Sequence, residues 1–542
     1  SKCCKVAIGS DANTKIGTVG GYGIIIPKFS YQLLALLYIF LFTNNGTCAV
    51  LYHGISQRTL FGDQKIVMLV AAKEKSMKEV GVMESTPTFK IRGNNVKIIE
   101  SPSQFYEQLI VLVSQSCYRV ALCSLYIGTG EMERDLIASL RKAMNEKGSL
   151  KVDILLDFNR ARRGNENSCT MLSSLKHDFD HRVNVALFHS PMLRGPLKKL
   201  LSERVNEILD RYILIESADL ANFYFDLIHA VSELSFQLNI DSEIILSPSC
   251  SDHPFLGSRS RYCELLNAKL KAVLSKWSQL HSLTTDEDDD TIVMPVVQFG
   301  AIGLFADREI INLIINNPSP SELFMATGYF NLAPCYVNAL FESEKSCNLM
   351  IASPEANGFH GAEGFSGYVP DIYKNFAESF YRRMINKNVL NRLQLFEYKR
   401  DDWTFHAKGI WLKKYSDNKV NASVIGSTNF GYRSLNRDLE TQIVLFTENE
   451  KLKDQLTAEC DMLFYYCSAF KRPLTTFGHR QMPLFVLFIS RWLRTCAVDP
   501  QHLRICDGVA DIIARSGVNE NSSSLSSVPM TINKCLAQKN GV

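Results

Sequence analysis

Apolar and polar positions along residues 96–157 follow the periods of strands and helices in turn. The pattern predicts strand, helix, strand, helix, strand over the segments VKIIE, SPSQFYEQLIVLVSQS, RVALCSLYI, EMERDLIASLRKAMNEKG and KVDILLDF. Strands that alternate with helices indicate a covered, largely parallel or mixed sheet. The fold class predicted from this stretch is therefore α/β.

A second series of the same kind follows the acidic run from Asp286 to Asp290, which is too charged for a core and is predicted to be a solvated linker. Its segments are VVQFG, ADREIINLIINN, ELFMATGYF, CYVNALFES and CNLMIAS. The two series share an order of elements but few residues, so the repeat is one of architecture. The predicted units are a divergent N-terminal region, a first half, the acidic linker, a second half and a divergent tail: residues 1–95, 96–275, 276–292, 293–480 and 481–542.

Two apolar segments raise the question of membrane contact. Residues 33–42 are about half as long as the roughly 20 residues that a transmembrane helix needs, which leaves a buried strand or a membrane contact. Residues 483–493 (PLFVLFISRWL) could lie in a membrane interface with Arg491 and Arg494 at the headgroups, or form a core helix. Further on, residues 519–527 (NENSSSLSS) are predicted to be disordered.

Length and composition favour a large folded protein. With 542 residues, 46% of them hydrophobic, the chain can bury more than one core. Lys and Arg (59) nearly balance Asp and Glu (56), and the net charge of +3 argues against a strongly basic nucleic-acid binder. The 15 cysteines form neither a CxxC pair nor an array at zinc spacing, which favours free thiols in a reducing compartment and no metal site.

The segment that carries chemistry is residues 403–442. Within FHAKGIWL, which alternates as a strand does, His406 and Lys408 are two positions apart and are expected on the same face. Ser427 and Asn429 follow across a short turn, in SVIGSTNFG. An imidazole, an ammonium, a hydroxyl and a neutral amide around one pocket are suited to handling a phosphate group.

This segment resembles the second HxK motif of the phospholipase D superfamily, and the words around it resemble the phosphatidylglycerophosphate synthases. The resemblance covers roughly residues 90–475 and leaves both ends unmatched. The matching words include ESPSQFYEQL, ALCSLYIGTGEMERDL, ILLDFNRARRG, LFHSPMLRG, TGYFNL, ASPEANGFHGAEG and GSTNFGYRSLNRDLETQI. The resemblance implies two phospholipase D-like α/β/α sandwich halves packed as a pseudo-dimer.

The chain departs from the family in its first half. The family's first HxK motif should stand between LFHSPMLRGPLKKLLSERVNEI and DRYILIESADLANFYFDLI, but these segments are joined directly through Ile208, Leu209 and Asp210. A strand-turn-strand is missing there, so the first half is expected to be truncated near residues 208–209. His406 and Lys408 form the only HxK in the sequence.

The resemblance also implies a mechanism without a cofactor. One histidine attacks the phosphorus of CDP-diacylglycerol and releases CMP, while a second protonates the leaving group and then deprotonates glycerol 3-phosphate. By this reading His406 is one of the two histidines, Lys408 and Asn429 stabilise the phosphoryl oxygens and Ser427 orients them. Glu440 is expected to fix the tautomer of a histidine.

Other residues are weaker candidates for substrate binding. Gly128, Thr129 and Gly130, between a strand and a helix, could offer backbone N–H groups to a phosphate, although a plain tight turn is as good an explanation. Arginines at the end of a strand and after the motif could receive the anionic headgroup or CDP, or could be solvated; they are Arg160, Arg163, Arg433 and Arg437. His189 is expected to be packed, and no role is assigned to His360.

The function implied by the resemblance is transfer of a phosphatidyl group from CDP-diacylglycerol to glycerol 3-phosphate, at the mitochondrial inner membrane and as a peripheral protein on an anionic surface. Two other hypotheses remain open from the sequence. One is a catalytically impaired form that binds lipid or a subunit, and the other is a phospholipase D-type phosphodiesterase. A homodimer could pair two copies of His406 across a two-fold axis.

Overall fold

The computed structural model describes residues 38–43, 48–53, 86–192, 207–280, 288–362 and 367–471, with backbone alone for the first two segments and for residues 207–208. The strands in chain order are β1 (Tyr38–Thr43), β2 (Cys48–His53), β3 (Phe89–Ile91), β4 (Val96–Ile99), β5 (Ser116–Ser124), β6 (Lys151–Asp157), β7 (Val183–Phe188), β8 (Glu207–Leu209), β9 (Tyr212–Glu216), β10 (Phe236–Leu238), β11 (Ile244–Leu246), β12 (Thr291–Phe299), β13 (Leu304–Phe305), β14 (Ser321–Thr327), β15 (Cys347–Ala352), β16 (Leu393–Tyr398), β17 (Trp403–Phe405), β18 (Gly409–Lys414), β19 (Val420–Gly426), β20 (Glu440–Thr447) and β21 (Cys467–Ala469). The α-helices are α1 (Pro102–Gln115), α2 (Glu131–Glu146), α3 (Ser168–Phe179), α4 (Ala218–Ser232), α5 (Arg259–Leu280), α6 (Ala306–Asn316), α7 (Pro334–Glu342), α8 (Val369–Asn386), α9 (Tyr432–Asn436) and α10 (Glu450–Tyr465).

The helices begin and bury a face where the sequence pattern predicts. In α1, the Ser101 hydroxyl accepts a hydrogen bond from the Gln104 backbone N–H (3.2 Å), and Pro102 stands at the first position, where its missing N–H is harmless. Phe105, Leu109 and the rest of its apolar stripe are buried at helical spacing. Each such helix covers a face of a sheet because its stripe has no other apolar surface to meet.

Two sheets form the frame of the molecule. The first has the order β11-β10-β7-β6-β5-β1-β2-β9-β4, and the second has β13-β12-β20-β19-β18-β14-β15-β16-β21, with β3 also pairing with β12. Neighbours β5, β6 and β7 are parallel, as are β14, β15 and β16. The mixed sheets confirm the predicted α/β class.

The sheets pack face to face through one apolar core. Residues of β12, β19 and β20, among them Val297, Ile425 and Ile443, belong to the same buried cluster as the strands and helices of the first half. The rings of Phe188 and Phe299, one from each half, contact edge to face at 6.3 Å. The two halves therefore meet over a dry interface of aliphatic and aromatic side chains, as a pseudo-dimer requires.

Strands β1 and β2 stand in the first sheet where β18 and β19 stand in the second. In each sheet an antiparallel hairpin lies between a parallel trio and a further antiparallel strand: β5 and β9 flank one hairpin, β14 and β20 flank the other. The segment expected after Ile208 is missing from the chain, but the sheet has strands at these positions because residues 38–43 and 48–53 supply them. Residues 38–42 of the apolar run thus belong to β1, and residues 33–37 of the run lie outside the described part.

The predicted linker and the predicted C-terminal segments lie partly or wholly outside the described residues. Helix α5 extends to Leu280, into the predicted linker, and Asp288 forms an ion pair with Arg92 at 2.9 Å. Residues 483–493 and 519–527 lie outside the described residues. Within the described residues, no helix combines the length and the apolar character needed to cross a bilayer.

Candidate active site

His406 lies at a junction between the two halves. The sequence predicts one strand through FHAKGIWL, but the structure divides it into β17 and β18, with residues 406–408 between them. The reason is that β17 pairs in parallel with β8 of the first half and not with the strands that flank β18. The backbone N–H of His406 continues that pairing by donating to the Leu209 carbonyl (2.9 Å).

The imidazole of His406 is held from one side. Its Nδ1 lies 2.5 Å from Oδ2 of Asp210 and 2.9 Å from Nζ of Lys408, which also donates to the His406 carbonyl. The side chains of Asp210 and Lys408 are 3% and 1% exposed, and that of His406 is 16% exposed. A carboxylate that accepts from Nδ1–H leaves the lone pair on Nε2, so Nε2 is the atom that can attack or take a proton.

Asp210 is a functional residue that sequence reasoning missed. It stands at the junction where the first-half motif is missing, and the carboxylate expected beside a histidine was Glu440 instead. The structure explains the choice: Asp210 lies just before β9, as Glu440 opens β20, and these strands hold equivalent places in their sheets. What the sequence could not give is that the two halves cross at this point, which brings Asp210 to His406.

Arg211 anchors the turn that follows the histidine. Its buried guanidinium donates to the carbonyls of Lys408 (2.9 Å) and Val424 (3.1 Å) and stacks 3.7 Å from the ring centre of Trp411. Gly409 has φ +145°, and a Cβ at that position would collide with this guanidinium and with the Val424 carbonyl. β17 therefore ends at Phe405, and β18 begins at a glycine because the arginine of the other half fills the space beside it.

Ser427 and Asn429, in the segment GSTNF, lie along the adjoining edge of the site. The Ser427 hydroxyl exchanges hydrogen bonds with the backbone of Thr441, both at 3.3 Å, which fixes its position between β19 and β20. The Asn429 backbone is held by Ser434 and Thr327, while its buried side-chain oxygen has no hydrogen-bond partner in the described part of the chain. A buried amide with an unused hydrogen-bonding group is suited to contact a ligand.

Glu440 is buried behind Ser427 and is hydrogen-bonded by Ser427 and Ser434. Burial raises the pKa of its carboxyl to about 7, and the neighbouring charge of Asp438 acts in the same direction. Asp210 rather than Glu440 is thus the carboxylate in contact with His406. Glu440 instead holds a proton that it releases near neutral pH, beside the site.

Three of the four predicted arginines gather where the halves meet. Burial raises the pKa of Asp157, the charge of Asp438 from the second half raises it further, and the charge of Arg160 lowers it, so these groups are close together. Arg433 pairs with Asp438 at 2.8 Å and is exposed, and the Arg437 carbonyl accepts from a serine hydroxyl of the first half (3.0 Å). The ion pair of Arg433 and the backbone of Arg437 thus lie near the contact between the halves.

The remaining substrate candidates lie in other surroundings. Arg163 is exposed in the loop after β6, and its backbone N–H donates to the carbonyl of residue 160. Gly128, Thr129 and Gly130 precede α2, but the carboxylate of Glu133 folds over this turn and accepts from the Gly130 N–H. The chain's own carboxylate thus occupies the place predicted for a phosphate there.

The other histidines singled out in the sequence differ in environment. His189 is fully buried, with its ring 4.5 Å from that of Phe255 and 5.3 Å from that of Phe158, as expected for a packed residue. His360 is exposed in a loop whose Ala356 carbonyl accepts from the Phe405 N–H (2.7 Å). Neither is in contact with His406 in the described residues. In the part of the chain that the structure describes, no group of three or more His, Cys, Asp or Glu side chains could hold a metal ion.

Comparison with known proteins gives the family. No family model matches the chain. The chain is 34% identical to the mitochondrial CDP-diacylglycerol–glycerol-3-phosphate 3-phosphatidyltransferase of Gallus gallus over 445 residues, which are 70% of this chain and 80% of the relative. It is 32% identical to the Homo sapiens protein of the same name over 463 residues, 74% of this chain and 83% of the relative.

The fold has a solved counterpart in the phosphatidylserine synthase of Haemophilus influenzae. The TM-score is 0.56 at 16% identity, and the match covers 80% of this chain and 99% of that one. This likeness confirms the predicted α/β fold. Because the phosphatidyltransferase relatives match along most of their own length as well, the chain belongs to the family of CDP-diacylglycerol–glycerol-3-phosphate 3-phosphatidyltransferases.

Proposed function

We propose that this chain binds CDP-diacylglycerol and glycerol 3-phosphate at the His406 site and carries out phosphatidyl transfer between them. The observation that supports this most is the contact of Asp210 with Nδ1 of His406, 2.5 Å apart and across the two halves. A carboxylate at this distance favours a proton on Nδ1, which leaves Nε2 as the nucleophilic nitrogen, in a site that also holds Lys408 and Asn429. The relatives' names supply the substrates.

The proposed reaction begins with a displacement at phosphorus. Nε2 of His406 attacks the phosphorus next to the diacylglycerol oxygen, an N–P bond forms, and the P–O bond to CMP breaks. The imidazolium that results is stabilised by the Asp210 carboxylate at Nδ1. The Lys408 ammonium, beside the same ring, offsets negative charge on the phosphoryl oxygens. In the second displacement the glycerol 3-phosphate hydroxyl replaces the histidine.

This chain lacks the second HxK histidine that would protonate the CMP leaving group. One imidazole cannot occupy both in-line positions, and the only HxK in the sequence is that of His406 and Lys408. We therefore expect a monomer of this sequence to turn over several orders of magnitude more slowly than a form with two motifs, since a positioned acid or base contributes about 10² to 10⁴. The alternative is a folded, impaired form that binds lipid or a subunit.

The test is release of CMP from CDP-diacylglycerol, with and without glycerol 3-phosphate, by a confirmed monomer. His406→Gln keeps the size and polarity of the side chain but removes the nucleophile, and His360→Gln is the matched control at an exposed position. Loss of activity in the first and not in the second supports the proposal. Equal activity of wild type and His406→Gln would contradict it.

A further set of experiments tests which group could protonate the CMP leaving group. His53 ends β2 and is paired in register with Tyr212, two residues after Asp210. The variant His53→Gln tests whether the hairpin supplies a proton donor, and His189→Gln tests the core of the first half. Assays at a series of protein concentrations test whether a second copy of the chain supplies it. A rate that rises with the square of protein concentration would indicate a homodimer that pairs two His406 sites.

We also propose that the protein works in the mitochondrion, on the anionic surface of the inner membrane and as a peripheral protein, without a nucleic-acid partner. The mitochondrial names of the relatives and the lipid substrate support this location. Fractionation of cells that make the full gene product, followed by carbonate extraction, tests it. Recovery outside mitochondria would overturn the location, and resistance to carbonate would overturn the peripheral attachment.

A further inference from the structure

An apolar cleft lies beside the catalytic edge, between α7, α8 and the loop after β14. Its volume is about 210 Å³. The walls are mostly aromatic and aliphatic, and the polar groups that line it come from Asn331, Ser379, Arg383 and Tyr432. The apolar lining consists of Phe330, Leu332, Ala333, Pro334, Val337, Phe376 and Phe380.

A row of rings leads from the histidine to this cleft. The Tyr329 ring is 5.5 Å from the His406 ring and 5.5 Å from that of Tyr373, which in turn is 6.1 Å from the ring of Phe376 in the cleft wall. On the other side, residue 332 bridges to Gly431, two positions after Asn429. Three successive ring contacts thus link the histidine to the cleft wall.

The side chains that form the cleft walls are too buried for the cleft to be a shallow groove on the surface. Phe330, Phe376 and Phe380 are 4%, 8% and 5% exposed, and the rings of Phe330 and Phe380 pack edge to face at 5.2 Å. The walls are thus held in place by the core behind them. A preformed apolar cleft with a few polar groups at its edge favours a ligand with a hydrocarbon segment next to a polar junction.

We propose that this cleft receives the proximal part of one acyl chain of the diacylglycerol moiety while the phosphorus lies at His406. The inference rests on the proposed function for the identity of the lipid. Phosphate and glycerol 3-phosphate are polar and gain little from apolar walls. A cytosine ring could stack on a phenylalanine, but its amine and carbonyl would then face aliphatic and aromatic groups, whereas the first methylenes of an ester-linked chain gain from leaving water along the whole wall. A volume of about 210 Å³ has room for on the order of seven groups of water size, so it holds part of a chain.

The position of the cleft gives it a role in specificity. Each methylene that enters an apolar site contributes about 0.8 kcal/mol, which is roughly a fourfold gain in affinity. Affinity should therefore rise with chain length while the added methylenes fill the cleft, and then level off. The lipid would also be oriented, because its acyl end and its phosphorus are held at two points of the same edge.

The test compares binding of CDP-diacylglycerol with two hexanoyl or two octanoyl chains, below their micelle concentrations, and of CDP alone as the headgroup probe. Ser379→Trp, from half-buried Ser379 on α8, should fill the cleft, and Ser379→Ala is the matched control. The wild type and the alanine variant should prefer the octanoyl lipid by roughly fourfold or more. The tryptophan variant should lose that preference and bind CDP as the wild type does.

The outcomes separate the two proposals. If Ser379→Trp keeps the full chain-length preference and binds CDP normally, the cleft is not the acyl site, and the proposed function stands. If the wild type binds neither CDP nor either lipid, the substrate assignment itself fails and takes this inference with it. Val337→Phe, from the opposite wall on α7, repeats the test should the tryptophan variant lose CDP binding through misfolding.

Discussion

A proline substitution in β2, the second strand of the N-terminal hairpin formed by β1 and β2, should destabilise the first sheet on both sides of that strand. Leu51 in β2 is paired with Ile39 in β1 and with Leu214 in β9, so β2 is an interior strand. Leu51→Pro removes one backbone donor and leaves a partner carbonyl unpaired inside the sheet. The lost bond is worth about 1 kcal/mol and the unpaired group about 1–3 kcal/mol, so a destabilisation of about 3 kcal/mol is expected.

Hydrogen exchange measures this effect where it should occur. About 3 kcal/mol corresponds to roughly a 100-fold loss of amide protection. That loss is expected in peptides from β5 and β9, and protection should be unchanged in β14 and β20 of the second sheet. Leu51→Ala keeps the backbone N–H and is the matched control. Protection of β5 and β9 that is the same in wild type and Leu51→Pro would refute the place of the hairpin.

Cross-linking tests the same register directly. Tyr38 is opposite Cys123 on β5, and Cα atoms of such antiparallel partners lie about 4.5–5.5 Å apart, within the range of a disulfide. Tyr38→Cys should therefore form a 38–123 cross-link, whereas Ile39→Cys, opposite Leu122, should not. Burial raises the pKa of the Cys123 thiol to about 12, so oxidation needs a catalyst and hours at pH 8. Peptide mass spectrometry identifies the linked pair.

Three further predictions concern buried charges. Asp210→Asn should lower the rate of CMP release about 10- to 100-fold by loosening the imidazole, with Asp241→Asn at an exposed position as the control. The pKa of Glu440 is raised from 4.5 to about 7, so stability falls as pH rises from 4.5 through 7; Glu440→Gln should raise the urea midpoint at pH 8 and leave it unchanged at pH 4. Arg211→Met removes the buried hydrogen bonds to the Lys408 and Val424 carbonyls and should cost about 3–6 kcal/mol in urea unfolding, because each hydrogen bond from a charged group contributes about 1.5–3 kcal/mol.

The order of elements was accessible from the sequence because it depends on local pattern. The strand predicted at VKIIE and the helix at SPSQFYEQLIVLVSQS correspond to β4 and α1 within a residue or two at each end. Apolar spacing and caps act over a few residues, so they can be seen without the fold. The same holds for the meeting of His406 and Lys408, since a separation of two residues brings side chains near each other whether or not the strand is continuous.

Contacts between distant segments were decided by the tertiary structure alone. Nothing in the local pattern links Asp210 to His406, 196 positions away, or places residues 38–53 in the gap between β5 and β9. The resemblance led us to expect a missing strand-turn-strand in the first half, but a sheet accepts any strand with suitable alternation, because its ladder is made by backbone groups that all residues share. The identity of the strand that fills the gap, and of the carboxylate that reaches the histidine, therefore depends on how the whole chain packs.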